Sequence, residues 1–161
     1  MVQRADNCIS LRRENGGILA EMTVQAAVER VWGVLTSFEE MDAHLSGLRR
    51  SRILQREGKR QLVEQSATVG IPLLPLTVKL VMDVVEERPF LHFNQRHGSF
   101  TSFSGHWWVD PGSGGNGTRI HYFLKASLGR GWKERPLEHQ LRRMIRQNLQ
   151  ELAAWIDNGE I

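Results

Sequence analysis

Residues 134–157 read ERPLEHQLRRMIRQNLQELAAWID, and the spacing of the apolar members decides the fold. Leu137, Leu141, Met144, Ile145, Leu149, Leu152, Trp155 and Ile156 recur at steps of three and four, while Arg135, Glu138, Arg142, Arg143, Arg146, Gln147 and Glu151 fill the other face. This predicts one amphipathic helix with a single apolar stripe. Pro136 sits in its first turn, where a missing N–H is harmless, and Asn158-Gly159 marks its end. At about 1.5 Å per residue the helix spans roughly 36 Å, so it requires an apolar partner surface of similar length.

Upstream the apolar period shortens to simple alternation, which makes that partner a sheet. After a turn signal at Asn15-Gly16-Gly17, Ile18, Ala20, Met22 and Val24 alternate with Glu21, Thr23 and Gln25. Two short helical segments follow, one through Val28, Val31, Trp32 and Leu35 and one from Phe38 to Leu45. Then come strand-like runs at Leu48–Glu57 and Arg60–Gly70, turning at Gly58, and at Leu76–Val84, Leu91–His97, Phe100–Asp110 and Thr118–Leu128. Ile71–Pro75 holds two prolines and is expected to be an apolar loop, with a second, glycine-rich loop at Pro111–Gly117. Short connections favour antiparallel pairing. The expected fold class is therefore α+β: a curved antiparallel sheet of six to seven strands wrapped around a long C-terminal helix, with two short helices after the first strand. Residues 1–16 are expected to be a tail and residues 17–161 one domain.

A composition of 40% hydrophobic and 24% charged residues is that of a soluble globular domain rather than a disordered or membrane-embedded chain. No apolar run reaches the length of a membrane span and the start is polar, so a cytoplasmic location is expected. The single cysteine, Cys8, excludes an internal disulfide, and no Cys/His spacing resembles a zinc site. The net charge of +3 is unevenly placed. Arg49, Arg50, Arg52, Arg56, Lys59 and Arg60 form one cationic cluster, and Lys125, Arg130, Lys133, Arg135, Arg142, Arg143 and Arg146 form another. Such clusters suit an acidic partner, nucleic acid or an anionic membrane, and equally a solvated face.

Strand parity gives each run an inner side. Ile120, Tyr122, Leu124 and Ala126 oppose Arg119, His121, Phe123 and Lys125, and Phe103, Gly105, Trp107 and Val109 oppose Ser102, Ser104, His106 and Asp110. Val63, Gln65, Ala67, Val78, Leu80, Met82, Phe93 and Gln95 extend the inner wall, and the helix adds Leu141, Met144 and Ile145. A mainly apolar wall with a few polar anchors, here Gln65, Gln95 and the Tyr122 hydroxyl, is the usual make-up of a small-molecule site. Parity does not separate a pocket wall from a filled core, and both readings stand at this point.

Several stretches together resemble a known family. They are Ala26-Ala27-Val28-Glu29-Arg30-Val31-Trp32, Phe38-Glu39-Glu40-Met41 leading into Leu48-Arg49-Arg50-Ser51, Val84-Val85-Glu86-Glu87-Arg88-Pro89, Gly105-His106-Trp107 and Gly117-Thr118-Arg119-Ile120. In their order and spacing, over about residues 17–157, they resemble the START-like or helix-grip superfamily, with its polyketide cyclases/dehydrases and coenzyme Q-binding proteins. The resemblance implies a cavity between the sheet and the last helix. It implies no single activity, because superfamily members bind lipids, quinones, polyketides or hormones and some are enzymes.

The residues themselves supply little catalytic machinery. Of the six histidines none stands four apart on a helix, and His106, His121 and Asp83 point outward by parity. Only Tyr122 is an inward acid, so no catalytic residue, metal or cofactor is expected. The expected function is binding or transport of a hydrophobic small molecule, a lipid, isoprenoid quinone or polyketide-like compound, without catalysis. Two other readings remain: a protein- or RNA-contacting module that uses the basic surface, like ribosome-associated members of the superfamily, and a cyclase or dehydratase. Trp108 and Phe123, facing outward, suit a partner surface. Leu73, Leu74 and Trp132 are expected at the pocket entrance, as a lid or a transient membrane contact.

Overall fold

The computed structural model describes residues 9–71, 74–111, 117–129 and 134–158, without the side chains of residues 69–71, 74–76 and 134–136. Strand β1 (Ser10–Glu14) is followed by β2 (Gly17–Val24), helix α1 (Val28–Leu35), a single 3-10 turn (Phe38–Glu40) and the short α2 (Met41–His44). Six strands then run in succession: β3 (Leu48–Glu57), β4 (Arg60–Ile71), β5 (Leu74–Glu87), β6 (Phe90–Gly98), β7 (Ser102–Pro111) and β8 (Thr118–Ser127). The chain closes with α3 (Glu134–Asn158). The sheet order is β1-β2-β8-β7-β6-β5-β4-β3, with every neighbouring pair antiparallel.

Eight strands replace the expected six to seven because residues 10–14, read as tail, form an edge strand. Asn15 (φ 47°) and Gly16 (φ 77°) both adopt the left-handed conformation of a tight two-residue hairpin, which pairs Leu11 with Ala20 and Arg13 with Ile18. Leu11 is the one apolar residue in this strand, so alternation carried no signal. The expected loop at Ile71–Pro75 is also shorter than the prolines suggested. Strand β4 continues to Ile71, β5 begins at Leu74, and Pro75 pairs in register with Gly70. A proline next to a strand's first residue leaves the ladder beyond it intact.

The far edge, β3, is protected from further pairing. The backbone N–H of Ile53 donates to Glu39 Oε1 at 2.8 Å and that of Ser51 to Asp42 Oδ2 at 3.3 Å, so acidic side chains from the short helical segment occupy two donors in the middle of the strand. The same segment grips α3. Glu151 accepts from the Ser46 N–H at 2.5 Å and the Ser46 hydroxyl at 2.6 Å, and His44 stacks on Trp155 with ring centroids 4.2 Å apart. Burial raises the Glu151 pKa, yet the bonds from Ser46 and Gln147 outweigh it and leave the carboxyl below its ordinary value. Arg30 of α1 donates to the carbonyls of Trp155 at 3.2 Å and Ile156 at 3.5 Å, occupying acceptors that the end of α3 leaves free. At the other end Arg13 of β1 pairs with Glu138.

The inner face of the sheet, α1 and the stripe of α3 share one core. Ala20, Val31 and Val63 are fully buried, and Ile145, Leu149 and Ile120 each retain 1% of their surface. The strand alternation and the helical period thus converge on one layer.

Candidate functional site

The core is not filled throughout. Between the inner face of β4–β8, the short helical segment and α3 lies a cavity of about 210 Å³. Val78, Leu80, Met82, Phe93, Phe103, Trp107, Tyr122, Leu141, Met144, Ile145 and Gln65 all line it. The alternation of β7 and β8 places Trp107 directly opposite Tyr122 across the pair, with ring centroids 4.2 Å apart, and Phe93 stacks on Tyr122 at 5.9 Å. Gly105 is demanded by this packing. A Cβ there would stand 1.9 Å from the Phe123 carbonyl and 2.8 Å from the Phe93 ring, so the space it leaves is used by the chain itself.

Gln95 is the exception among the expected wall residues. Its side-chain N–H donates to the Phe100 carbonyl at 2.9 Å and its Oε1 accepts the Phe100 N–H at 3.3 Å. The amide is consumed in holding the β6–β7 turn, and with it Phe100 and Phe103, rather than facing the cavity. Gln65 does face it, with its Nε2 donating to the Ser51 hydroxyl at 3.1 Å and lying 3.7 Å from the Met41 sulfur.

Tyr122 is the titratable group among the described lining residues. Burial pushes its phenol well above the ordinary tyrosine range, so it is protonated at neutral pH and acts as a donor. No described residue hydrogen-bonds its hydroxyl. The described lining includes no carboxylate, imidazole, ammonium, guanidinium or thiol. Among the described residues no group of three His, Cys, Asp or Glu could hold a metal.

Sequence reasoning missed the floor of the cavity. Leu35, Phe38, Met41 and Leu45 come from α1 and the short segment after it, and Leu91, Thr68, Gln140 and Asn148 are also among the lining residues. Asn148 stands four residues after Met144, and Gln140 three after Leu137, so both fall on the helical stripe, but an apolar period does not register polar members. Leu73 and Trp132, and the side chain of Leu74, lie outside the described residues, so the expected entrance does too.

On the convex face the outward residues behave differently from expectation in one respect. His121 faces outward yet is buried to 8%, stacked under Trp108 at 4.3 Å between ring centroids. His106 lies 5.5 Å from Phe123 in the same aromatic layer. Burial lowers the pKa of both imidazoles, for His106 reinforced by its histidine neighbours and for His121 partly opposed by the Glu21 carboxylate. Asp83 points away from the cavity and pairs with Arg96 at 2.7 Å. Arg49, Arg50, Arg52, Arg56, Lys59 and Arg60 are exposed along the β3–β4 hairpin.

A curved antiparallel sheet that closes on one long helix around an apolar cavity is the START-like helix grip. A profile of the polyketide cyclase / dehydrase and lipid transport family matches residues 24–153, and the chain belongs to that family. A START superfamily protein from Mycobacterium smegmatis superposes with a TM-score of 0.78 at 12% identity, covering 88% of this chain and 97% of its own. A STAR-related lipid transfer protein from Xanthomonas axonopodis gives 0.78 at 14% identity, covering 98% of this chain and 97% of its own. The Zhui aromatase/cyclase from Streptomyces sp. R1128 gives 0.73 at 13% identity, with 92% and 94% covered. At these identities the likeness is one of fold. Among curated proteins no sequence matches significantly. No described helix is long and apolar enough to cross a membrane.

Proposed function

We propose that this chain binds and carries a hydrophobic small molecule, a lipid, isoprenoid quinone or polyketide-like compound, between its sheet and α3 and releases it chemically unchanged. The observation that carries the reading is the character of the cavity wall: apolar on nearly every side, with a few neutral polar groups and no described side chain poised to exchange a proton near neutral pH. Binding there draws on the transfer of apolar surface out of water, about 25 cal/mol for each Å². Proton-transfer chemistry asks for an acid or base with a pKa near the working pH, and a phenol raised further by burial is not one.

The test is native mass spectrometry of protein purified from its own host, with solvent extraction of what accompanies it, for the wild type and for Leu141→Trp. The larger ring should fill the space that the ligand needs. The expected result is a stoichiometric apolar compound with the wild type and its loss from the variant, with the two melting within about 4 °C of each other. A compound that returns with altered covalent structure after incubation would move the reading to cyclase or dehydrase chemistry. A wild type free of any compound, with no uptake from a lipid extract, would move it to the cationic β3–β4 hairpin, where binding of a polyanion falls steeply with salt.

A further inference from the structure

We propose that the molecule held in this cavity is neutral and carries a hydrogen-bond-accepting oxygen, such as a ketone, quinone or ester carbonyl, seated against Tyr122 and Trp107, and that an ionised carboxylate is refused at that position. The inference rests on the cavity being the ligand site, as proposed above, and adds the chemistry of the group it selects.

Trp107 and Tyr122 are cross-strand partners on β7 and β8, their rings 4.2 Å apart and inclined at 42°, and both line the cavity. Each ends in a single donor, the indole N–H and the phenolic O–H. Neither has a hydrogen-bond partner among the described residues. The ring neighbour of Tyr122 on the other side is Phe93, which offers no acceptor. Gln65, whose side-chain oxygen is an acceptor, stands on β4, four strands from β8 in the sheet. The wall therefore presents two donors on neighbouring rings to which no described residue is hydrogen-bonded. Covering these donors with an apolar group would strip them of water without a partner, so an occupant that supplies an acceptor is favoured over one that does not.

Charge decides which acceptor. A carboxylate accepts well, but it would lose its hydration in a pocket whose described lining holds no cation to compensate it. A carbonyl oxygen can accept from such a donor with little desolvation to recover. Because the phenol of Tyr122 stays protonated across the neutral range, the preference does not depend on its titration.

Isothermal titration calorimetry of the full chain with decane, 2-decanone and decanoate, at a pH of about 8 where decanoate is ionised, tests this. The ketone should bind about tenfold tighter than the alkane, and decanoate more weakly than either. Tyr122→Phe should bring the ketone-to-alkane ratio to within about twofold, and Trp107→Phe should lower it separately, so the test does not hang on one variant's folding. Equal affinity of ketone and alkane in the wild type, as when a bound water already satisfies both donors, overturns the inference alone. So does tighter binding of decanoate than of the ketone. Binding of all three that Leu141→Trp leaves undiminished overturns the cavity reading instead, and absence of binding by all three overturns both.

Discussion

From Ala153 to Ile156 the apolar stripe of α3 is sealed: Ala153, Trp155 and Ile156 retain 2%, 8% and 3% of their surface, with His44 stacked on Trp155 and Arg30 on the terminal carbonyls. From Leu137 to Met144 the same stripe looks into the cavity, and Leu137 and Met144 are only half-buried. The two halves share one helical period and one kind of side chain. They differ in what stands opposite. The short helical segment wraps the C-terminal end, whereas the N-terminal half spans the hollow of β4–β8, whose aromatic rings stack on one another rather than on the helix. Apolar patterning thus marks a surface to be removed from water, and the opposing shape decides whether it becomes core or wall.

The comparison breaks or holds first on a pair of truncations. Ile156→Ala should cost about 3 kcal/mol, because a tightly packed site loses both transfer energy and contacts. Met144→Ala should cost about 1 kcal/mol, since part of that side chain borders empty space and has fewer contacts to lose. Urea denaturation of both variants measures the gap; equal losses would mean that the N-terminal half is packed as solidly as the C-terminal half. The next expected effect is acid-dependent and sharpens the same contrast. His121 and His106 have folded pKa values below the ordinary value of about 6.5, so the unfolded chain takes up protons more readily. Their contribution to stability is complete above about pH 6.5 and is lost as the pH falls through the lower folded values. Melting temperature should therefore drop between about pH 7 and pH 5, and drop less in His121→Phe. Because His121 lies on the face of the sheet away from α3, the gap between Ile156→Ala and Met144→Ala should be the same at both pH values. The smallest effect is expected for Arg30→Ala, roughly 0.5–1 kcal/mol from two long hydrogen bonds, read as faster amide exchange confined to the last turn of α3.

How far these features were legible in the sequence depended on how local their cause was. Trp107 and Tyr122 could be placed on one inner wall because alternation over ten residues in each of β7 and β8 leaves a single assignment of faces. Gln95 could not: it has the parity of a wall residue, and only the turn carrying Phe100 shows where its amide is used. Strand β1 was hidden because SLRRE pairs through its backbone and offers one apolar side chain. The burial of His121 was hidden because its cover, Trp108, comes from the neighbouring strand.

The sequence by itself determined most of the elements and their faces: a long one-sided helix, seven alternating strands and short connections. Those properties follow from periodicity and residue chemistry, which act over a few residues at a time. Only the tertiary structure decided that the stripe of α3 is packed over at one end and faces a void at the other. Only it showed the rings of Trp107 and Tyr122 in contact, with neither donor hydrogen-bonded among the described residues. Both depend on how far a curved sheet stands from a helix many residues away, and no local pattern encodes that distance.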